Sequence, residues 1–280
     1  MPNSALPERA ARAALAAHFP PHEVAAQLAQ HSAEKVWHDA VRRDTTGRLV
    51  HYRPREELAN AQLTCRFVIP SDDVWPAALD SLGTGTPLGL WVRGHQQLPR
   101  LTARAVAVTG NRATTQETLA RTQAFASALA EAGHTVTSTL ALGVDSTALR
   151  AAALAGHTTL AVLPRGLDRA HPHDHAQLLS SIPATGGAVV SLFKPGTEAS
   201  GSTLQTSAAL LAALVRAVVL IEAVDSFVPP MHTAEIASGL GRPVLVPPSA
   251  DSARTLGNRR LIADQRAVLV PDPEHALALL

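Results

Sequence analysis

From Ala105 onward, short, largely apolar runs alternate with segments patterned for helices. This alternation limits the fold more than any other feature of the chain. The runs occupy residues 105–108, 135–138, 158–163, 188–193, 217–222, 243–246 and 267–270. Between them, residues 116–132, 146–155, 173–182, 204–215, 233–239 and 258–263 carry apolar side chains at helical spacing. A strand that is apolar on every residue is buried on both faces, so the pattern predicts an α/β fold with a parallel sheet flanked by helices. Such sheets bind ligands beyond the carboxyl ends of their strands.

The residues at those ends are polar or small, as that rule requires. The first run stops at Thr109-Gly110-Asn111-Arg112, and a helical pattern begins near Thr114-Thr115. A strand, tight turn and helix start of this kind direct backbone N–H groups at one point and suit an anion. Gly110, Gly143 and Gly166 permit close backbone approach. On a parallel sheet Arg112, Arg165 and Lys194 fall on one rim, which is an anion site. Asp145 is expected to cap the helix that follows it, and Asp168 to hold a turn. Glu222, ending a buried run, is suited either to a base or ribose hydroxyl or to a structural hydrogen bond.

Residues before the alternation read differently. Residues 7–18 and 22–39 have helical spacing and are separated by Pro20-Pro21, which predicts a small N-terminal helical unit. Its role reads as support or linker, with a protein or DNA contact as the other possibility. Residues 67–98 are broken by Pro70, Pro76, Pro87 and several glycines. Within them residues 88–92 read as an edge strand of the main sheet, and Trp75 and Trp91 as core anchors.

Several function classes are disfavoured. The net charge is +1, and basic and acidic residues nearly match on both sides of Leu101, so any nucleic-acid contact must be local. The single Cys65 excludes an internal disulfide and a cysteine metal cluster. The N-terminus lacks the apolar core of a signal peptide, and no apolar run is long enough to span a membrane, so the expected location is cytoplasmic. The His171, His173 and His175 run lies in a loop and helix start, and no metal or cofactor is predicted. Ser138 and Ser191 lack a matched histidine–carboxylate pattern, there is no P-loop, and the first turn lacks a full G-x-G-x-x-G.

Taken together, the blocks VAVTGNR, LALGVDSTALRAAL, AGHTTLAVLPRGLDRAHPHDH, GGAVVSLFKPGT, RAVVLIEA, HTAEIASGLGRPVLVPP and GNRRLI resemble the DprA/Smf family of DNA-processing proteins. The resemblance is collinear over residues 67–270, and PLGLWVRG fits the family's lead-in. It implies an extended Rossmann-like domain over residues 65–280 behind a helical domain over residues 1–64. It further implies a non-catalytic protein that binds single-stranded DNA, forms a homodimer and loads a RecA-type recombinase during natural transformation. Asn258 and Arg259 stand where the family's last pocket motif falls, and they join Gly110, Asn111, Arg112, Gly143, Asp145, Arg165, Gly166 and Lys194 as the expected phosphate-binding set. The chain is expected to lack the winged helix that some members carry.

The departures from the pattern are specific. The family's aromatic-Asn-Phe-Pro and Arg-Asn-Arg segment reads Ser202-Thr203-Leu204-Gln205-Thr206-Ser207-Ala208-Ala209 here. Loss of those arginines implies weaker or absent DNA binding on that face. The usual Ser-Gly is Ser138-Thr139, and the Gly-Ser-Leu-Ile-Thr-Ala block is Val228-Pro229-Pro230-Met231-His232-Thr233-Ala234. A glycine-lined pocket beside a lost basic face also fits a nucleotide-sensing module of a defence or mobile-element system. A nucleotide-processing enzyme is the least favoured reading, since Pro195-Gly196-Thr197-Glu198 only echoes the P-G-G-x-G-T-x-x-E motif.

Overall fold

The computed structural model describes residues 6–95, 97–169, 173–249 and 253–280. Four helices come first: α1 (Glu8–His18), α2 (Pro21–Leu28), α3 (Ala33–Arg43) and α4 (Pro54–Ala61). The helically spaced stretch over residues 22–39 falls into two helices, because Ser32 accepts a hydrogen bond from Lys35 N–H and starts a new helix. Strands β1 (Arg66–Val68) and β2 (Leu90–Gly94) and the short helix α5 (Leu98–Ala103) lead into the alternating region.

That region runs β3 (Ala105–Gly110), α6 (Gln116–Glu131), β4 (Thr135–Ser138), α7 (Val144–Leu154), β5 (Thr159–Val162), α8 (Ala176–Ala184) and β6 (Ala188–Ser191). It continues with α9 (Gly201–Leu214), β7 (Ala217–Glu222), α10 (Pro229–Gly239), β8 (Val244–Val246), α11 (Leu256–Ala263), β9 (Val268–Leu269) and α12 (Pro273–Ala278). The strands form one sheet in the order β1-β2-β6-β5-β4-β3-β7-β8-β9. From β6 to β9 every pairing is parallel, and β1 and β2 join antiparallel at the β6 side. The strand expected at the edge is therefore internal: β2 pairs with β6 on one side, and the three-residue β1 forms the edge.

Alternation along each strand splits the core between the two faces of the sheet. Ala105, Ala107, Val218 and Leu220 pack in one cluster with the apolar side of α9 and α10. Val106, Val108, Val219 and Ile221 pack in another with Phe125, Leu129 and Ala148 of α6 and α7. Trp75 and Trp91 are buried in the core, as expected. After β6 the chain crosses back over the sheet through α9 and places β7 beside β3. The winding direction reverses there, and this switch point opens a crevice at the carboxyl ends of the strands. Among the described residues no helix is long and apolar enough to cross a membrane.

Candidate functional site

The crevice holds a pocket of about 290 Å³. The end of β3 and the turn after it supply Gly110, Asn111 and Arg112, and the β4–α7 loop supplies Thr139, Ala141 and Asp145. Pro164 follows β5, Leu204 and Ser207 come from α9, and Val228, Pro229 and Pro230 close the far wall. The proline pair starts α10, where a missing N–H costs no helical hydrogen bond.

The β3 end is held rigidly from two sides. The β3–β7 register slips between Thr109 and Gly110, so that Gly110 faces Glu222. Asn111 N–H donates to Glu222 O at 2.8 Å, and the Asn111 side chain donates to Glu222 Oε1 at 2.8 Å. Thr114 and Thr118 hydroxyls donate to the same carboxylate at 3.1 and 2.9 Å, and Arg254 Nη1 lies 3.9 Å away. Glu222 is buried and occupied by these contacts, so of its two expected roles the structural one is realised.

Asp145 holds the other side. It sits in the first turn of α7 and does not cap it; Gly143 is the N-cap residue. Its carboxylate accepts from Thr109 Oγ1 at 2.8 Å, from Gly110 N–H at 3.2 Å, and from the Thr139 hydroxyl. Complete burial pushes the carboxyl up to about 6, opposed by the hydrogen bonds from Thr139, Thr109 and Gly110.

With Gly110 and Asn111 N–H both donated inside the fold, the anion-directed donors left at this turn are fewer than a bare strand–turn–helix offers. Among the described residues, Arg112 and Ala113 N–H make no intrachain hydrogen bond, and the exposed Arg112 guanidinium has no side-chain partner. Arg254, which the sequence did not single out, donates to Ala113 O at 2.7 Å and brings a second cation to the turn.

The expected basic rim does not assemble. Of Arg112, Arg165 and Lys194, only Arg112 lines the pocket. Lys194 turns to the N-terminal helices, 3.1 Å from Glu57 Oε2 and 5.3 Å from the centre of the Tyr52 ring. Arg165 is 6% exposed and pairs with Glu198 at 3.0 Å.

The glycines act differently from expectation as well. A Cβ on Gly143 would stand 2.3 Å from Arg112 O, and one on Gly166 would stand 2.5 Å from Lys194 O. What approaches these glycines is the chain's own backbone, because adjacent strand-end loops pack against each other. Asp168 does the turn work expected of it by accepting Gly196 N–H at 2.9 Å.

Asn258 is buried in the first turn of α11. It accepts Ala223 N–H at 2.8 Å and donates to Leu220 O and Ile221 O at 2.9 and 3.3 Å, which ties α11 to the end of β7. Arg259 is exposed and outside the pocket lining.

Two walls were invisible as site residues in the sequence. The stretch from Ser202 to Ala209 lies in α9, and its Leu204 and Ser207 face the pocket where the resemblance would put a basic cluster. Beside the opposite wall, Phe227 is 77% exposed and its ring packs against His232 at 5.7 Å. It is the one aromatic among the exposed large apolar side chains of the described residues.

Ser138 donates to Val108 O, and Ser191 to Leu163 O and Arg165 O, so neither is bonded to a histidine. His175 is buried with Nδ1 2.7 Å from Leu140 O, and no metal-binding group is found among the described residues. His171 lies outside those residues.

Residues 66–280 match the family model described as DNA recombination-mediator protein A. The structure of DNA processing protein A from Streptococcus pneumoniae is similar, with a TM-score of 0.75 at 25% identity, covering 92% of this chain and 90% of that one. A structure of DNA processing protein A from Helicobacter pylori, described for its single-stranded DNA binding mode, shares the fold. It gives a TM-score of 0.66 at 23% identity over 76% of this chain and 94% of that one. No curated protein matches the sequence.

Proposed function

The chain belongs to the DNA recombination-mediator protein A family, and on that premise we propose that it binds single-stranded DNA at the strand-end pocket and acts in DNA recombination. One observation carries the reading: the Arg112 guanidinium, unpaired among the described residues, lines a pocket walled by Leu204, Val228, Pro229 and Pro230. That pairing of one cation with apolar walls suits one nucleotide of a strand. Its phosphate meets Arg112 and the free N–H groups of the β3–α6 turn, and its base enters the apolar part. Phe227 offers a stacking face to a neighbouring base, a contact any base sequence satisfies.

On this reading the protein holds and hands over a strand and does not cleave it. As a homodimer it would present DNA to a RecA-type recombinase, with natural transformation as the setting that the family suggests. The division into residues 1–64 and 65–280 would assign the DNA contact to the second part.

The test is fluorescence anisotropy with labelled oligonucleotides. Arg112→Ala is expected to weaken binding equally across base sequences and to flatten the salt dependence by about one phosphate's share. Phe227→Ala is expected to lose about 1–3 kcal/mol with the salt slope unchanged. Absence of binding at low salt by folded protein would overturn the reading.

The small pocket and its single lining cation also favour a second reading, a sensor of free nucleotide. A thermal shift with mononucleotides and no response to oligonucleotides would select it.

A further inference from the structure

Arg165 is unusual among the cations of this chain. Its side chain is 8% exposed, whereas that of its partner Glu198 is 71% exposed. The pair rests on one contact, Arg165 Nη2 to Glu198 Oε1 at 3.0 Å. Among the described residues, the buried Nε of Arg165 has no hydrogen-bond partner. A guanidinium presents paired N–H donors in a fixed fork, and here one donor of the Nε/Nη2 edge is filled while the other is orphaned. An unsatisfied buried donor is costly, and more so on a charged group. The contact lies beside the pocket: Pro164, next in sequence to Arg165, lines it, and Glu198 precedes α9, whose Leu204 and Ser207 form one wall.

We propose that Arg165 is a second phosphate subsite held closed by Glu198, which a phosphodiester next to the nucleotide in the pocket displaces. The inference rests on the single-strand-binding reading and adds an inhibitory contact to it. Displacement is inexpensive on the Glu198 side, because a mostly exposed carboxylate returns to water with little loss. The Arg165 side gains, because a phosphate offers two oxygens to the Nε/Nη2 edge where Glu198 fills only one donor. The chain would thus keep one open cation, Arg112, for first contact and one covered cation for a longer strand.

Oligonucleotide binding by Glu198→Ala tests the idea, because loss of a carboxylate should then improve affinity. The expected gain is roughly tenfold at low salt, with a salt slope steeper by about one phosphate. The gain should vanish in Arg165→Met, which separates a released subsite from the general effect of removing a negative charge. Thymidine monophosphate has no second phosphate, so its thermal shift should be the same with and without Glu198.

If Glu198→Ala binds no better than the parent, or if the gain persists without Arg165, the subsite is overturned while the Arg112 reading stands. If neither the parent nor Glu198→Ala binds oligonucleotide, both fall. Should Arg165→Met fail to fold, Arg165→Lys keeps the charge but removes the fork. It should then lose most of the gain.

Discussion

At the scale of single residues, Asp145 shows how a polar side chain can be structural at one pH and a liability at another. It is wholly buried, and its carboxyl lies at about 6, above the ordinary aspartate value near 4. Between those values the folded chain holds a proton that the unfolded chain releases. The stability from this group is therefore fully present below about pH 4 and is lost as pH rises through 6. A rise from about 4 to about 6 corresponds to roughly 3 kcal/mol as an upper figure. Asp145→Asn keeps an acceptor for Thr109 and Gly110 without a charge to desolvate. In urea unfolding at fixed pH, the parent should lose about 2–3 kcal/mol relative to Asp145→Asn between pH 4 and 7. Parallel profiles for the two proteins would show that the hydrogen bonds from Thr109, Gly110 and Thr139 offset the burial. Arg112 lies at the other extreme: among the described residues its exposed guanidinium has no intrachain partner.

At the scale of elements, the strand-end loops act as a set. Gly143 has φ +81, and a Cβ there would meet Arg112 O at 2.3 Å and Asn111 O at 2.5 Å, both backbone atoms. Gly143→Ala is expected to cost about 2–4 kcal/mol, combining strain at positive φ with displacement of the β3–α6 turn. A denaturation midpoint measures the first effect, and loss of oligonucleotide affinity in protein that still folds measures the second. A change under 1 kcal/mol would mean that the turn yields freely.

The same loops show where sequence reading succeeds and stops. Strands β3 to β8 were legible because strands buried between two helical layers become largely apolar runs, whereas β9 was legible from its apolar sequence alone, since Val268 and Leu269 are exposed. The three-residue β1 was not, because it is short and begins with the exposed Arg66. The short α12 carries too little pattern to be read. The glycines marked tight positions correctly, but sequence cannot say whether a ligand or a neighbouring loop comes close. The walls from α9 and α10 arise from a chain crossing that brings distant segments together. Nothing local in Leu204 or Pro229 announces it.

At the scale of the whole molecule, the N-terminal helices and the sheet are joined through a shared core. Ala10, Ala13, Leu58 and Ala61 pack in one buried cluster with Phe67, Trp91, Leu140 and Leu163. Arg9 adds a two-pronged pairing with Asp72 at 2.6 and 2.7 Å and donates to Phe67 O at 2.7 Å. Lys194 reaches from the loop after β6 to Glu57 in α4. A pair this exposed contributes little alone, so the apolar contact carries the coupling.

A boundary near residue 65 therefore runs through packed core, and separating the two sides would uncover Phe67 and Trp91. One cooperative unit is the expected consequence. Near the unfolding transition, hydrogen exchange should give the same opening free energy for amides of α1 and of β3. If α1 opens several kcal/mol more easily, the helices fold as a separate unit and the shared cluster is a docking contact. Arg9→Ala sharpens the comparison. Loss of a partly exposed ion pair should lower both opening energies together by about 1 kcal/mol or less, without separating them.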